Sequence, residues 1–206
     1  MTAPHRRNER SRRAILDAAL ALLTETGYSR MTIEAIAARA GVGKQTIYRW
    51  WRSKGAVVLD ALVDGLPAAA ALPDTGDIHA DLRAVIRATV AEFADPHLSA
   101  TTRALTIETL ADDELAAQVR DRLLRPQLDQ VRDRLESARR AGQIRDDAPL
   151  DQVVELLFGP IYHRWLLRTG PLTEPYADTL VTLALTAACQ PTVGPATERQ
   201  PDLHAE

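Results

Sequence analysis

Apolar residues recur at intervals of three and four along most of this 206-residue chain. Strand-like alternation is absent from the sequence, so the spacing predicts amphipathic helices and an all-α fold. Glycine and proline residues separate the periodic segments, which predicts where the helices end. We expect about nine helices, near residues 11–26, 33–40, 44–51, 53–66, 78–93, 99–110, 113–141, 149–170 and 173–188.

Residues 32–54 predict two short helices joined by a tight turn. The hydroxyl of Thr32 can accept a backbone N–H bond and so cap the first helix. Gly41 follows the last apolar position, where a helix end favours a residue that tolerates positive φ. Gly43 can then open the second helix. Together these signals predict a helix-turn-helix, a motif whose second helix enters the major groove of DNA.

The pattern of apolar and polar residues in the second helix predicts which side chains contact DNA. Ile47 and Trp51 lie four residues apart and are expected to face inward. The residues that open the outward face are expected to contact base edges: Lys44, Gln45 and Thr46. Four residues around them are expected to contact phosphates: Thr32, Tyr48, Arg49 and Lys54. Tyr48 could contact a base edge instead.

The charge distribution supports nucleic-acid binding by one end of the chain. Residues 1–54 contain eleven Lys and Arg residues and four acidic residues. The remainder contains 14 basic and 24 acidic residues, so the net charge of −3 hides a basic head on an acidic body. Such a split is expected of a protein that contacts phosphates with one end only.

Other functional classes find less support. No run of eighteen apolar residues predicts a membrane span, and the N-terminus lacks the apolar core of a signal peptide. The single cysteine, Cys189, excludes an internal disulfide and is typical of a reducing cytosol, so we expect a cytoplasmic protein. The five histidines show no metal-ligand spacing, and no phosphate-binding glycine loop is present, so no metal, cofactor or enzymatic activity is expected. A plain DNA-coating protein remains an alternative, but it would not need the acidic body.

The last two helices are apolar on more than one side. Residues 153–167 and 180–187 contain more apolar positions than one stripe needs. A helix that is apolar most of the way round is buried on both sides. The second side is expected to pack against another subunit, and a well-buried monomer core is the alternative.

The stretch from about Arg12 to Leu62 resembles the DNA-binding domain of the TetR family of bacterial regulators. Five features carry the resemblance: Gly27-Tyr28 after helix one, Thr32 at the start of helix two, Gly41-Val42 in the turn, Thr46-Ile47-Tyr48 in helix three and Ser53-Lys54 before helix four. Two positions depart from the usual pattern, namely Trp50-Trp51, and Gly55, where an acidic residue is usual. Residues 156–180 also resemble the C-terminal domain of one TetR subgroup.

The resemblance implies a domain order and a mode of action. It implies a basic arm (1–10), a helix-turn-helix domain (11–54), a connecting helix (53–66), a regulatory and dimerisation domain (67–189) and a mobile tail (190–206). The protein would be a homodimer, joined by helices eight and nine, that binds a palindromic operator in double-stranded DNA. It would act as a repressor that an unidentified small molecule releases from DNA. A ligand-independent regulator and an activator are the alternatives.

Polar residues within apolar helices are the candidates for binding the small molecule. Arg103 and Glu108 lie on helix six, and Tyr162, His163 and Trp165 follow Gly159-Pro160 in helix eight. Proline inside a helix removes a hydrogen bond and forces a bend, which can open space between neighbours. We therefore expect Gly159-Pro160 to interrupt helix eight and Pro126 to kink helix seven. Each of these polar side chains could instead be solvated or paired within the core.

Overall fold

The computed structural model describes residues 3–65 and 72–189, with side chains described for 8–64 and 72–189. All regular structure within these ranges is helical, which confirms the predicted all-α fold. The nine helices are α1 (Ala3–Thr26), α2 (Ile33–Ala40), α3 (Lys44–Tyr48), α4 (Lys54–Gly65), α5 (Ile78–Ala94), α6 (Pro96–Thr109), α7 (113–140), α8 (Leu150–Leu167) and α9 (Glu174–Cys189). The predicted tail, 190–206, lies outside the described residues.

Helix α7 changes its winding partway along its length. It consists of Asp113–Val119, a π-helical segment at Arg120–Leu124, and Arg125–Arg140. The N–H of Arg125 donates to the carbonyl of Arg120, five residues back. Proline at 126 would clash with the carbonyl four residues before it in a regular α-helix. The wider turn relieves that clash, so the irregularity predicted at Pro126 takes the form of a π-helical segment.

Four helix ends differ from the prediction by three residues or more, and one of them is the end of α8, at Leu167 instead of Gly170. Helix α1 begins at Ala3 instead of Ser11, so residues 3–10, predicted as a flexible arm, form its first turns. Helix α3 ends at Tyr48 instead of Trp51, because the chain must turn before Ser53 caps α4 by accepting a bond from the N–H of Ala56. Helix α6 begins at Pro96 instead of Ser99, since Asp95 caps it and proline is tolerated at the first helical position.

Two hydrophobic cores are joined by a small junction. The N-terminal core lies among α1–α4 and centres on Ile15, Ile36 and Ile47. The C-terminal core lies among α5, α7, α8 and α9. Between them, Leu59 of α4, Leu105 of α6 and Leu115 of α7 form a third cluster. Movement in the C-terminal body can therefore reach the N-terminal helices through α4.

A buried ion pair fixes α5 against α7. The carboxylate of Asp81 accepts a 2.8 Å bond from the guanidinium of Arg134, and both side chains are only 3% exposed. Asp81 also accepts bonds from the N–H and hydroxyl of Thr75. Burial opposes ionisation of Asp81, but the bonds from Thr75 and Arg134 outweigh it and lower its pKa. The carboxylate is thus satisfied by its neighbours, as a buried charge must be. The Nη2 atom of Arg134 lies 3.3 Å from a carboxylate oxygen of Asp74 but forms no hydrogen bond with the described residues.

Helix α8 runs without interruption across Gly159-Pro160, contrary to the prediction of a break. Proline costs this helix one hydrogen bond, and the surrounding core packing holds it together. The carbonyl of Pro160 gains a bond from the hydroxyl of Tyr176 on α9. The two helices are therefore tied together beside the proline.

Helices α8 and α9 both expose large apolar side chains. Leu167 is 60% exposed and Leu183 is 63% exposed, and Leu156 and Leu166 are more than 40% exposed. Leu156 and Leu167 lie on α8 and Leu183 lies on α9, and the two helices pack against each other. Exposed apolar patches typically mark an interaction surface, and these side chains are candidates for one.

Candidate nucleic-acid interface and effector cavity

The turn between α2 and α3 has the geometry that the sequence predicted. The hydroxyl of Thr32 accepts a 3.1 Å bond from the N–H of Ala35 and caps α2. Gly41 ends the helix at φ 66°, a left-handed conformation that glycine adopts without strain. The N–H of Val42 then donates to the carbonyl of Ala37. These contacts set the angle at which α3 leaves α2.

The inner side of α3 is firmly held. Ile47 is fully buried, and Trp51 just beyond the helix is also buried, which confirms that both face inward. The indole N–H of Trp51 donates a 2.8 Å bond to the carboxylate of Asp60 on α4. Because α3 is only five residues long, this anchoring, and not helix length, fixes its orientation.

The outer side of α3 carries an exposed row of polar side chains: Lys44, Gln45, Tyr48 and Arg49. Thr46 is half-buried, and Tyr48 is 54% exposed. The ammonium of Lys44 lies 2.9 Å from a carboxylate oxygen of Glu34, a bond that lowers the pKa of Glu34 and raises that of Lys44. The guanidinium of Arg49 donates to the side chain of Asn8, 3.4 Å away on α1. This row can present donors and an aromatic ring to one groove of DNA.

Lys54 is held beside Tyr28 at the start of α4. Its ammonium donates a 3.0 Å bond to the carbonyl of Tyr28 and lies 4.0 Å above the centre of the tyrosine ring. An ammonium has three donors, so this arrangement leaves donor capacity for a phosphate. The lysine is thus held in one orientation by Tyr28.

Asp60 joins the helix-turn-helix to the rest of the molecule. One of its carboxylate oxygens accepts the bond from Trp51, and the other accepts a 2.6 Å bond from Arg122. Arg122 lies in the π-helical segment of α7. The guanidinium of Arg12 on α1 lies 3.5 Å from the same carboxylate. Three elements therefore converge on one acidic side chain.

Gly55 leaves a space beside α4 that Glu108 of α6 fills. A β-carbon at position 55 would lie 2.2 Å from a carboxylate oxygen of Glu108 and 2.8 Å from a methyl group of Leu115. Burial raises the pKa of Tyr28, and the nearby Glu108 carboxylate raises it further. The acidic group that is usual at position 55 is absent from this chain, and an acidic side chain of α6 lies against that position instead.

A cavity of about 290 Å³ lies within the C-terminal body between α5, α6, α7 and α8. Its wall is largely apolar and includes the rings of Phe93, Phe158 and Tyr162. The polar side chains that line it are Thr89, Glu92, Thr102, Gln127 and Glu155. Burial raises the pKa of Glu92, and both burial and the charge of Glu92 raise the pKa of Tyr162. A cavity with a few polar groups in an apolar wall is typical of a small-molecule site.

The predicted ligand-binding residues do not come together in this cavity. Tyr162 lines it, whereas Arg103 and Trp165 line a separate, open cleft of about 600 Å³. There the guanidinium of Arg103 lies 4.6 Å from the ring of Trp165 and donates to the backbone of α8. Glu108 and His163 line neither cavity, since Glu108 lies at Gly55 and His163 is exposed on α8.

The polar residues of the cavity, above all Glu92 and Gln127, were not among the binding residues predicted from the sequence. Glu92 had a detectable signal, because Val85, Thr89 and Glu92 follow helical spacing on one side of α5. A carboxylate on an otherwise inward-facing stripe is a candidate for a binding role. Gln127 had no comparable signal, since its neighbours on α7 are mostly polar and exposed.

Within residues 3–65 and 72–189, no group of three His, Cys, Asp or Glu side chains is arranged to hold a metal ion. Over the same part of the chain, no helix has the length and apolar character needed to cross a membrane.

Comparisons with known proteins cover both parts of the chain. Residues 15–61 match the family described as bacterial regulatory proteins, tetR family, and residues 72–184 match the one described as tetracyclin repressor-like, C-terminal domain. The chain is 33% identical over 176 residues to YdeS, an HTH-type transcriptional regulator of Bacillus subtilis. The aligned region covers 85% of this chain and 88% of YdeS. It is 29% identical over 188 residues to the DNA-binding transcriptional repressor TetR of Mycobacteroides abscessus, with 90% and 97% of the two chains covered. The crystal structure of the TetR family regulator SCO0332 matches with a TM-score of 0.74 and 34% identity, over 87% of this chain and 99% of that one.

Proposed function

Since the chain belongs to the TetR family of bacterial regulatory proteins and is a helix-turn-helix transcriptional regulator, not an enzyme, we propose that it is a ligand-responsive repressor that binds a palindromic operator as a homodimer. The observation that carries this proposal is the outer side of α3. Its polar row is exposed while the inner side of the same helix is anchored to α4. A short, rigidly held helix that presents donors outward is suited to the major groove.

Base edges would be contacted by Lys44, Gln45 and Thr46, at the N-terminal end of α3. An amide such as that of Gln45 can pair with adenine through two hydrogen bonds, and an ammonium can donate to guanine. DNA phosphates would compete with Glu34 for Lys44, because the two side chains are paired in the free protein. Lys44 would therefore contact only those DNA sites whose bond to its ammonium compensates for the lost pair with Glu34.

Phosphates would be contacted by side chains on either side of α3, namely Thr32, Tyr48, Arg49 and Lys54. The hydroxyl of Thr32 already caps α2, so the N-terminal N–H groups of that helix would point toward the same phosphate. Lys54, fixed over Tyr28, would add a charge at the start of α4. These contacts would set the register of the protein on DNA without specifying sequence.

The exposed apolar face of α8 and α9 would join two copies of the chain. On α8, Leu156, Gly159, His163 and Leu167 follow a spacing of three and four residues, so they share one side of the helix. On α9, the same side that carries Leu183 is otherwise exposed threonine and alanine, whose small side chains permit close helix packing. A two-fold arrangement would present two copies of α3 to half-sites about one helical turn of DNA, or a small multiple, apart.

Repression would end when a small molecule occupies the cavity in the body. Leu123 and Leu124 line the cavity, and Arg122 beside them donates to Asp60, which holds Trp51. A ligand that displaces the π-helical segment would therefore shift α4 and the two copies of α3 together. If that arrangement fits DNA poorly, ligand and DNA each lower the affinity for the other.

Binding-site selection from random DNA tests the proposal. Wild-type protein should recover a palindromic sequence with two half-sites. Gln45→Ala should relax preference at one or two positions per half-site, at a cost of about 1–3 kcal/mol for the affected base pair. Lys54→Ala is the matched contrast, since it should weaken binding and leave the selected sequence unchanged. Selection of a non-palindromic sequence, or one that Gln45→Ala does not alter, would contradict the proposed contacts.

A further inference from the structure

We infer that the cavity in the body takes an amphiphilic cation, a ligand with an apolar, aromatic body and a protonated amine directed at Glu92. This inference rests on the proposed ligand response and adds the chemical class of the ligand. It is drawn from the charges and rings that line the cavity.

The charge of the lining favours a cation. Glu92 and Glu155 contribute carboxylates, and the described residues of this wall include no lysine, arginine or histidine. The neighbouring cavity of about 380 Å³ also includes Glu92 and likewise has no basic side chain among its described lining residues. An anionic ligand would meet two carboxylates and no compensating charge, so carboxylic acids and phosphates are disfavoured.

Glu92 is the acidic group best placed to meet the ligand. It lies on the wall of both cavities, together with Thr89, Gln127 and Phe158. Its carboxylate forms no ion pair or side-chain hydrogen bond with the described residues. Partial burial raises its pKa, while the residue as a whole remains exposed at the edge of the cavity. A ligand ammonium would supply the missing partner.

Aromatic side chains complete the site. The ring of Phe93 lies edge-on to that of Tyr162, with 5.0 Å between their centres, and Phe158 lines the same wall. Aromatic faces attract a cation, and their area accommodates a flat apolar body. Gln127, Thr89 and Thr102 offer hydrogen bonds to polar substituents. A carboxylate beside several rings is therefore suited to an aromatic amine.

Matched probes can test the charge preference directly. Three compounds share a naphthyl body and differ in their head group: 2-(1-naphthyl)ethylamine, 2-(1-naphthyl)ethanol and 1-naphthaleneacetic acid. The same three head groups on phenyl and dodecyl bodies vary the apolar part. Calorimetric titration of the full-length protein should give the amine at least tenfold higher affinity than the alcohol of the same body, and the acid the lowest affinity.

Glu92→Gln identifies the residue responsible. The amide has nearly the same shape, so the alcohol should bind as before while the preference for the amine falls about tenfold. Glu114→Gln is the matched control, because Glu114 lies outside both cavities and pairs with Arg52. A preference that survives Glu92→Gln would overturn the inference. So would tighter binding of the acids, or the absence of binding by every amine in the series.

DNA release measured with the same compounds separates the two proposals. If an acid binds in the cavity and releases operator DNA, the ligand-responsive function stands and the cationic class is wrong. If an amine binds through Glu92 but leaves DNA affinity unchanged, the ligand class stands and the ligand-responsive function is wrong.

Discussion

Replacing Gly55 by alanine probes the contact between the DNA-binding helices and the regulatory body. The added β-carbon would lie 2.2 Å from a carboxylate oxygen of Glu108 and 2.8 Å from a methyl carbon of Leu115. Both distances are too short for non-bonded atoms, so Glu108 must leave its position and Leu115 must shift. The substitution therefore displaces both side chains from the contact between α4 and the helices that carry them.

Two opposing terms determine the size of the effect. Overpacking of a buried contact costs about 1–3 kcal/mol. Alanine in a helix is favoured over glycine by about 1 kcal/mol, which offsets part of that cost. We expect a net loss of up to about 2 kcal/mol in the free energy of unfolding. In a protein of this size, that loss lowers the melting temperature by up to about 8 °C.

A double-mutant cycle isolates the contact. Glu108→Ala removes the atom nearest to the new β-carbon but leaves the contact with Leu115, so Gly55→Ala should cost about 1 kcal/mol less in that background. Thermal and urea unfolding of the four proteins give the coupling energy. Gly43→Ala is the control, because a β-carbon there meets no atom within 4 Å and its effect should add to that of Glu108→Ala. An equal cost of Gly55→Ala in both backgrounds would refute the reasoning.

Three further predictions follow from the structure. Asp81→Asn should lower the free energy of unfolding by about 3 kcal/mol, because it leaves the buried Arg134 without its closest anion. Since folding lowers the pKa of Asp81, the stability that its carboxylate contributes is complete above the unfolded pKa of about 4 and is lost as the pH falls further. Urea titrations at several pH values should find this pH dependence reduced in the variant. Lys54→Ala should weaken binding to all DNA sequences alike and reduce the slope of log affinity against log salt by about one unit per contact, and equal slopes would remove Lys54 from the interface. Leu183→Glu should give a monomer in sedimentation at micromolar concentration, with the helical content unchanged, whereas a variant that remains dimeric would exclude α9 from the dimer contact.

The helix-turn-helix was predictable because its signals are local. The cap at Thr32, the left-handed glycine at Gly41 and the spacing of Ile47 and Trp51 all lie within about twenty residues. Each of these signals is a property of short-range backbone geometry and helical periodicity. The inward and outward sides of α3 could therefore be assigned before the tertiary structure was known.

The cavity in the C-terminal body was not predictable in the same way, because its wall is assembled from four helices that lie far apart in the sequence. Tyr162, His163 and Trp165 were predicted to bind the ligand because they follow the proline in α8. Successive residues of a helix, however, point about 100° apart. Tyr162 consequently lines the cavity, His163 is exposed, and Trp165 packs against Phe93 and donates to Ser99. Assigning such residues requires knowing which side of each helix meets its neighbours.

The π-helical segment of α7 has a consequence for how this chain compares with its relatives. A π turn contains about one more residue than an α turn, so residues on either side of 120–124 are offset by about 100° from their positions on a regular helix. Deleting one residue from this segment would restore regular winding, and Asp113–Val119 would keep nearly the same orientation relative to Arg125–Arg140. The segment itself would lose one of its five side chains, so Arg122 could no longer face Asp60 while both Leu123 and Leu124 face the cavity. A relative with a single-residue gap at this point would retain the fold but would have to connect its cavity to α4 through different side chains.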